Sequence, residues 1–143
     1  KNFNDYSTLM YNIKNVDPEK DYDEFCRINK INEKRRSLSK FFTILANKKI
    51  LSIENIVTIL EKFIELVNTK IKEDNCLKDV EELSENIEII INAGLVKCKK
   101  HDKWVNIVEK INEISSYNVK SYPSLNRRII FKFMDCIDVI KKV

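Results

Sequence analysis

Apolar side chains recur along most of the chain at intervals of three and four residues, the spacing that places them on one face of an α-helix. This spacing predicts five clear helices and one or two weaker ones nearer the N-terminus. The clearest is amphipathic and follows Ser52, whose hydroxyl is suited to capping a helix. Its apolar positions are Ile53, Ile56, Val57, Leu60, Phe63, Ile64, Val67 and Ile71. The other four helices are marked by Leu38, Phe41, Phe42 and Leu45, by Leu77, Val80, Leu83, Ile87, Ile90 and Ile91, by Trp104, Ile107, Val108, Ile111 and Ile114, and by Ile129, Ile130, Phe133, Ile137 and Ile140.

Charged residues, asparagine and the single glycine mark the expected helix ends. Lys48–Lys49 places cations at the end of one helix, where the helix dipole favours them, and Asp74–Asn75 interrupts the next. Gly94 is expected to end the third helix as a left-handed C-cap. The expected N-caps of the last two helices are Asp102 and Ser124. Towards the N-terminus, residues 3–15 have helical spacing, Asp17–Glu19 indicates a helix start, and the mixed-charge stretch that follows is either helix or loop.

The later helices are evenly spaced along the chain. Their midpoints fall near residues 63, 85, 108 and 133, about 22 to 25 residues apart, so that a helix pair repeats about every 45 to 48 residues. That period is typical of HEAT or armadillo hairpins, in which each pair buries its apolar face on its neighbours. An irregular bundle of similar helices would give the same spacing by chance, and the period alone does not separate the two.

The composition favours an all-α fold. One Gly and two Pro in 143 residues are too few for the turns of a β-rich protein, and they exclude a P-loop or a G-x-G-x-x-G phosphate site. Charged residues make up 34% of the chain, which indicates extensive solvated helix surface, and no apolar run is long enough to span a membrane. The sequence therefore predicts one helical domain over residues 1–143.

Charge is unevenly distributed along the chain. Residues 73–96 have a balance of −6, whereas residues 1–72 have +4 and residues 97–143 have +6, which together give the net +4. Basic clusters lie at Lys34–Arg36, at Lys97–Lys100 and at Arg127–Arg128. This segregation is compatible with a protein partner, with an RNA backbone or with ordinary solvated helix faces. The basic excess is too small to identify a nucleic-acid-binding protein from charge alone.

Residues suited to catalysis or metal binding are scarce. His101 is the only histidine and precedes a helix start, where a solvated turn residue is expected. Cys98 and His101 could supply half of a metal site, but no second half is present in the sequence. The four cysteines form no close pair, so reduced thiols in a cytosolic or nuclear setting are expected. Glutamates four residues apart, such as Glu81 and Glu85, are expected on a solvated face. The sequence predicts no enzyme, no cofactor and no metal.

The last helix carries the most specific pattern in the chain. Residues 128–139, RIIFKFMDCIDV, resemble the SRIRFMLQDVLDLR stretch that closes the middle domain of translation initiation factor 4-gamma. The identical positions are Arg128, Ile129, Phe131, Asp135 and Asp138. Three upstream segments resemble the same family in the same order, at residues 40–52, 82–94 and 104–115. Ile130 departs from the family, which has a basic residue there.

The resemblance covers residues 34–142 and implies a HEAT-repeat α-solenoid, here the C-terminal portion of a larger middle domain. It implies a non-catalytic cytoplasmic scaffold of translation initiation that binds and activates a DEAD-box RNA helicase of the initiation factor 4-A type, that meets other initiation factors and that contacts RNA, with no membrane involved. The candidate partner-binding residues are Arg127, Arg128, Lys132 and Asp135. The candidate RNA contacts are Lys97, Lys99 and Lys100.

Several alternatives stay open. The same fold serves as an adaptor in splicing, nuclear cap binding or mRNA decay, and the sequence does not separate these roles. A Bcl-2-like viral or parasite inhibitor would instead need one central, wholly buried hydrophobic helix, whereas the expected helices are amphipathic. Arg128 and Asp135 would form either partner contacts or an internal ion pair, and at least one of Phe131 and Phe133 is expected in the core.

Overall fold

The computed structural model describes residues 10–13 and 19–142, and within them the secondary structure is helical throughout, with no strand. The all-α prediction is confirmed. The five helices between residues 22 and 141 are α1 (Tyr22–Asn47), α2 (Ile53–Lys70), α3 (Leu77–Cys98), α4 (Trp104–Ser115) and α5 (Arg127–Lys141), with a short 3-10 turn at Val119–Ser121. Within this described part, no helix is long and apolar enough to cross a membrane. Most of the weak helix expected at 3–15, and the helix start expected at Asp17–Glu19, fall outside the described residues.

The mixed-charge stretch before residue 34 is helical, so α1 is longer than its apolar pattern indicated. Asp21 caps it, because its carboxylate accepts the backbone N–H of Glu24 at 3.1 Å. The expected apolar stripe of α1 is only partly correct: Phe42 is buried, whereas Phe41 is 53% exposed. The chain leaves α1 through Lys49, whose φ of 63° lies in the left-handed region.

The helices pack in a regular order. α3 lies between α1 and α5, α2 packs against α3 and α4, and α4 packs against α5. Early in both helices Arg36 of α1 contacts Glu82 of α3, and further along Asn47 of α1 contacts Ala93 of α3. The two helices therefore run in the same direction. Asn126 contacts Glu81 and, further along, Lys132 contacts Glu85, which makes α5 parallel to α3 as well.

The core forms where the apolar faces of these helices meet. α2 contributes most to it, since its central stripe is completely buried, as the spacing predicted. Ser52 caps α2 as expected, because its hydroxyl accepts the N–H of Glu54 at 3.2 Å. The fully buried side chains of α2 are Ile56, Val57, Ile59, Leu60, Phe63, Ile64 and Val67.

The prediction that Gly94 ends α3 is wrong. The helix continues through Gly94 to Cys98, and a β-carbon at Gly94 would lie 2.6 Å from Thr43 Cγ2 of α1. Glycine is therefore needed here for the close approach of two helices, and a left-handed turn plays no part.

Two expected N-caps are also wrong. α4 begins at Trp104 without a side-chain cap, so Asp102 does not have this role. Asn126 caps α5 by accepting the N–H of Ile129 at 2.9 Å. Ser124 is buried and holds the α2–α3 turn instead, because its hydroxyl donates to the Glu73 carbonyl and accepts the Cys76 N–H at 2.9 Å.

The expected basic cluster Lys34–Arg36 is divided by the fold. Arg35 is 1% exposed, and its guanidinium donates to Asn32 Oδ1 at 2.6 Å and to the Asn12 carbonyl at 3.2 Å. Burial lowers the pKa of Arg35. Arg36 instead forms a two-pronged contact with Glu82 of α3, at 2.8 and 2.5 Å. Two of the three cations therefore serve the interior and the α1–α3 interface.

Candidate functional site

α5 is held in place by the helix stripe that the sequence predicted. Ile129, Ile130, Phe133 and Cys136 are buried against α3 and α4, which confirms that one of the two phenylalanines lies in the core. The cap residue strengthens this attachment, because the Asn126 amide also donates to Glu81 Oε1 of α3 at 3.1 Å. The opposite face of α5 is consequently fixed in orientation and open to solvent.

That open face contains two apolar side chains. Phe131 is 57% exposed and Met134 is 47% exposed, and residues three apart lie on the same side of a helix. Arg127, Arg128 and Asp135 are exposed beside them. We call Arg128, Phe131, Met134 and Asp135 the α5 surface. Aromatic, methionine and arginine side chains are the types enriched in protein–protein interfaces.

A shallow groove of about 430 Å³ runs between the α5 surface and α3. It is lined by Glu88, Arg128, Phe131, Lys132 and Asp135. The apolar side chain of Phe131 thus has the positive charge of Arg128 and the negative charge of Asp135 as neighbours. Such a surface suits a partner segment in which an apolar residue is flanked by polar ones.

Lys132 differs from the other candidate partner residues, because it already binds α3. Its ammonium lies 2.5 Å from Glu85 Oε2 and 3.8 Å from Glu88 Oε1. Partial burial by itself lowers the pKa of Lys132, but the hydrogen bond and charge of Glu85, with the charge of Glu88, outweigh it and raise the pKa. Lys132 therefore positions α5 on α3 and forms one wall of the groove.

Arg128 and Asp135 make no ion pair with each other or with any other residue in the described part of the chain. Of the two roles left open for them, the internal ion pair is not seen. Both line the groove and remain exposed, so their charges are accessible to a partner.

A second, larger groove of about 580 Å³ follows α3 between α1 and α5. Arg128 lines both grooves, so the two meet at this residue. The carboxylates of α3 in the larger groove are already paired, Glu82 with Arg36 and Glu85 with Lys132. The acidic block of the sequence is thus neutralised in part by cations from the helices on either side.

The candidate RNA contacts lie away from the α5 surface. Lys97 is half-buried near the end of α3, and Lys99 and Lys100 are exposed just beyond it. Since α3 and α5 are parallel, this end of α3 lies at the opposite end of the layer from Arg127 and Arg128, which begin α5. The two predicted sets of residues therefore lie at two separate places in the fold.

His101 lies in the expected turn but is not freely solvated. Its Nε2 contacts the Glu54 carboxylate of α2, and its Nδ1 accepts the backbone N–H of Lys103 at 3.1 Å. Cys98 is buried, and burial raises its pKa to about 11. Among the described residues, no group of three or more His, Cys, Asp or Glu side chains could hold a metal ion.

Sequence reasoning missed the exposure of Phe131 and Met134. The signal was present, because the buried stripe of α5 passes through Ile130, Phe133 and Cys136, and the intervening position 131 falls off that stripe. The resemblance to the initiation factor 4-gamma family indicated only the charged residues of this helix as candidates.

Comparison with known proteins adds no identification: no protein-family model, no curated protein and no solved structure matches this chain. The resemblance to the middle domain of initiation factor 4-gamma stays a prediction from the sequence.

Proposed function

We propose that this protein is a non-catalytic HEAT-repeat scaffold that binds and activates a DEAD-box RNA helicase in translation initiation. The α5 surface is the helicase contact, and Lys97, Lys99 and Lys100 contact RNA. One observation carries the proposal: the segment with the strongest family resemblance is also the helix that presents an exposed Phe131 between Arg128 and Asp135.

The side-chain contacts between helices support a repeat. Arg36–Glu82 joins residues 46 apart in sequence, Ser39–Asn86 and Lys132–Glu85 join residues 47 apart, and Tyr117–Asn68 joins residues 49 apart. These separations agree with the helix-pair period of about 45 to 48 residues in the sequence. They favour α2–α3 and α4–α5 as successive repeats, in which each helix contacts its counterpart one repeat further along.

The surroundings of α3 disfavour the Bcl-2-like alternative. A central helix of that kind would be enclosed on every side by apolar neighbours. α3 packs against three helices, yet Glu85 and Glu88 are only half-buried and Asn92 is exposed. One face of α3 therefore belongs to the surface, as expected for the middle helix of a layer.

A mechanism follows from rigidity and differential binding. A scaffold that holds two mobile helicase lobes in one arrangement raises the population of that arrangement without performing chemistry. The α5 surface suits this role, because the buried stripe below it and the Lys132–Glu85 contact beside it fix its orientation. A partner lobe would dock on a surface that is already ordered, which lowers the entropic cost of binding.

Calorimetric titration of this protein with a DEAD-box helicase from the same organism tests the assignment. Phe131→Ala and Arg128→Glu are each expected to weaken binding at least ten-fold, or about 1.4 kcal/mol. Phe41→Ala is the matched control, since Phe41 is exposed to a similar extent but lies on α1. Absence of binding by the unaltered protein, or equal loss in all three variants, would reject the α5 surface as the helicase contact.

A further inference from the structure

Lysines collect at one edge of the molecule. Because α1, α3 and α5 are parallel neighbours, their C-terminal ends lie at the same edge of the layer. Lysines lie in the last turn of each of these helices or directly after it. We call this group the lysine edge, and its members are Lys48, Lys49, Lys97, Lys99, Lys100, Lys141 and Lys142.

The cations of the lysine edge are not neutralised by acidic neighbours. None of the seven forms an ion pair with a described residue, whereas Lys70, Lys103 and Lys132 all do. Over residues 47–54, 96–104 and 138–142 the sequence has eight lysines against Glu54, Asp102 and Asp138, a net charge of +5. The whole chain has a net charge of +4, so everything outside this edge sums to −1.

Compensation of helix dipoles does not account for this excess. Three helix C-termini at the edge contribute about −1.5 elementary charges, and the N-termini of α2 and α4 at the same edge contribute about +1. The difference is about half a charge, far below the +5 that the side chains supply. The surplus is positive potential that a polyanion would feel.

A pocket opens in the lysine edge where α1, α2 and α3 meet. It has a volume of about 480 Å³, and Lys49, Lys97 and Lys100 line it together with the hydroxyl-bearing Ser52. Its remaining wall is apolar and consists of Ala46, Leu51 and Ile53. Lysines beside an apolar surface suit a ligand in which an anionic group is attached to a flat apolar ring. The volume of the pocket is in the range of small-ligand sites.

We propose that the lysine edge binds the phosphate backbone of single-stranded RNA, with one unstacked base in the pocket between α1, α2 and α3. The inference rests on the proposed function for its RNA contacts at the end of α3 and extends the site to the ends of α1 and α5. With packed helices about 8–10 Å apart, the edge spans about 20 Å, which is long enough for several nucleotides. A single strand is favoured because a base within a duplex cannot enter the pocket.

Two properties follow from this geometry. Lysine ammonium groups contact phosphates as point charges, so binding is tolerant of sequence and falls steeply with salt. The lysines at the ends of α1 and α3 lie away from the α5 surface, so RNA bound to them leaves that surface open to the helicase. Lys141 lies on α5 itself, about 9 Å beyond Asp135.

Fluorescence anisotropy with a labelled 20-nucleotide oligouridylate tests the proposal. Three edge variants replace lysine by glutamine. The first changes Lys48 and Lys49, the second changes Lys97, Lys99 and Lys100, and the third changes Lys141 and Lys142. The control, Lys72→Gln with Lys78→Gln, removes two exposed lysines elsewhere. Each edge variant is expected to weaken binding several-fold. In each double variant, the plot of log affinity against log salt should become less steep by about 1.4. The control should leave both unchanged.

The outcomes separate this proposal from the proposed function. The proposal fails if the unaltered protein does not bind the oligonucleotide, if the control loses as much affinity as the edge variants, or if a duplex of the same length binds as tightly as the single strand. If only the variant at Lys97, Lys99 and Lys100 lost RNA affinity, the extension of the site to α1 and α5 would be overturned. The RNA contact of the proposed function would then still stand. Helicase binding, measured in parallel, should be unchanged in the variants at the ends of α1 and α3. The corresponding Lys→Arg variants should retain RNA binding, and unchanged thermal unfolding of the Lys→Gln variants would exclude a folding defect as the cause of their loss.

Discussion

Ser39 and Asn86 lie 47 residues apart in the sequence and share a 2.7 Å hydrogen bond that is completely buried between α1 and α3. The Asn86 amide also donates to the Glu82 carbonyl at 2.8 Å, so the pair is satisfied in this alignment of the helices. A shift of one helix along the other would leave buried polar atoms without partners, at a cost of about 1–3 kcal/mol for each. The bond thereby fixes the parallel register that brings the lysines of α1 and α3 to one edge.

Gly94→Ala tests the close contact between α1 and α3. The new methyl group would lie 2.6 Å from Thr43 Cγ2, and Thr43 is held in its rotamer by its hydrogen bond to the Ser39 carbonyl at 2.7 Å. We expect a net loss of about 1 kcal/mol in urea unfolding, because overpacking costs about 1–3 kcal/mol and alanine returns about 1 kcal/mol of helix propensity. In a Thr43→Ser background, which keeps the hydroxyl and removes Cγ2, the same change should be neutral or stabilising. A stabilising effect in the unaltered protein would contradict this packing.

The two phenylalanines of α5 should separate stability from binding. Phe133 is 1% exposed, so Phe133→Ala is expected to lower the free energy of unfolding by about 3–5 kcal/mol. Phe131→Ala should change it by less than about 0.5 kcal/mol, because Phe131 is largely in solvent. Thermal and urea unfolding of both variants measure this directly. Equal destabilisation would mean that the inward face of α5 is assigned incorrectly.

The contact of Lys132 with α3 predicts a charge-swap rescue. Lys132→Glu would place three carboxylates together with Glu85 and Glu88, and we expect a loss of about 1–2 kcal/mol, limited by the partial exposure of the pair. Adding Glu85→Lys should restore most of the lost stability. Arg128→Glu is the matched control and should leave stability unchanged. If the double variant were no more stable than Lys132→Glu, the proximity of these groups would be refuted.

Thiol reactivity should divide the four cysteines into two classes. Burial raises the pKa of Cys98 to about 11 and that of Cys136, which also faces the charge of Glu88, to about 12. At pH 8 only a very small thiolate fraction is present at either, and neither sulfur is accessible. We therefore expect Ellman's reagent to label the partly exposed Cys26 and Cys76 in the folded protein and all four in urea. Cys76 should react more slowly than Cys26, because partial burial and the hydrogen bond to Glu73 raise its pKa. Rapid labelling of four thiols without denaturant would show that the core is more open.

Much of the fold could be predicted from the sequence, because the information is local. The apolar stripe of α2 and the cap at Ser52 depend on residues within one or two turns, and both are confirmed. The role of Gly94 could not be predicted, since it depends on Thr43, a residue 51 positions away in another helix. Local propensity favoured a helix end at this glycine, and the tertiary contact determined the outcome.

The candidate site was predicted less completely for the same reason. The family resemblance grouped Lys132 with Arg127 and Arg128, yet of the three only Lys132 forms ion pairs with the glutamates of α3. Arg35 likewise belongs to a basic run in the sequence but is buried in the fold. Which cations face solvent depends on helix orientation, and that is settled only when the neighbouring helices are in place.

The ATPase rate of the helicase, measured with and without this protein, tests the central proposal most directly. We expect the unaltered protein to raise the rate at saturation, Phe131→Ala to abolish the increase at the same concentration, and Phe41→Ala to preserve it. An unchanged rate in the presence of a demonstrably folded protein, or stimulation that persists in Phe131→Ala, would contradict the account.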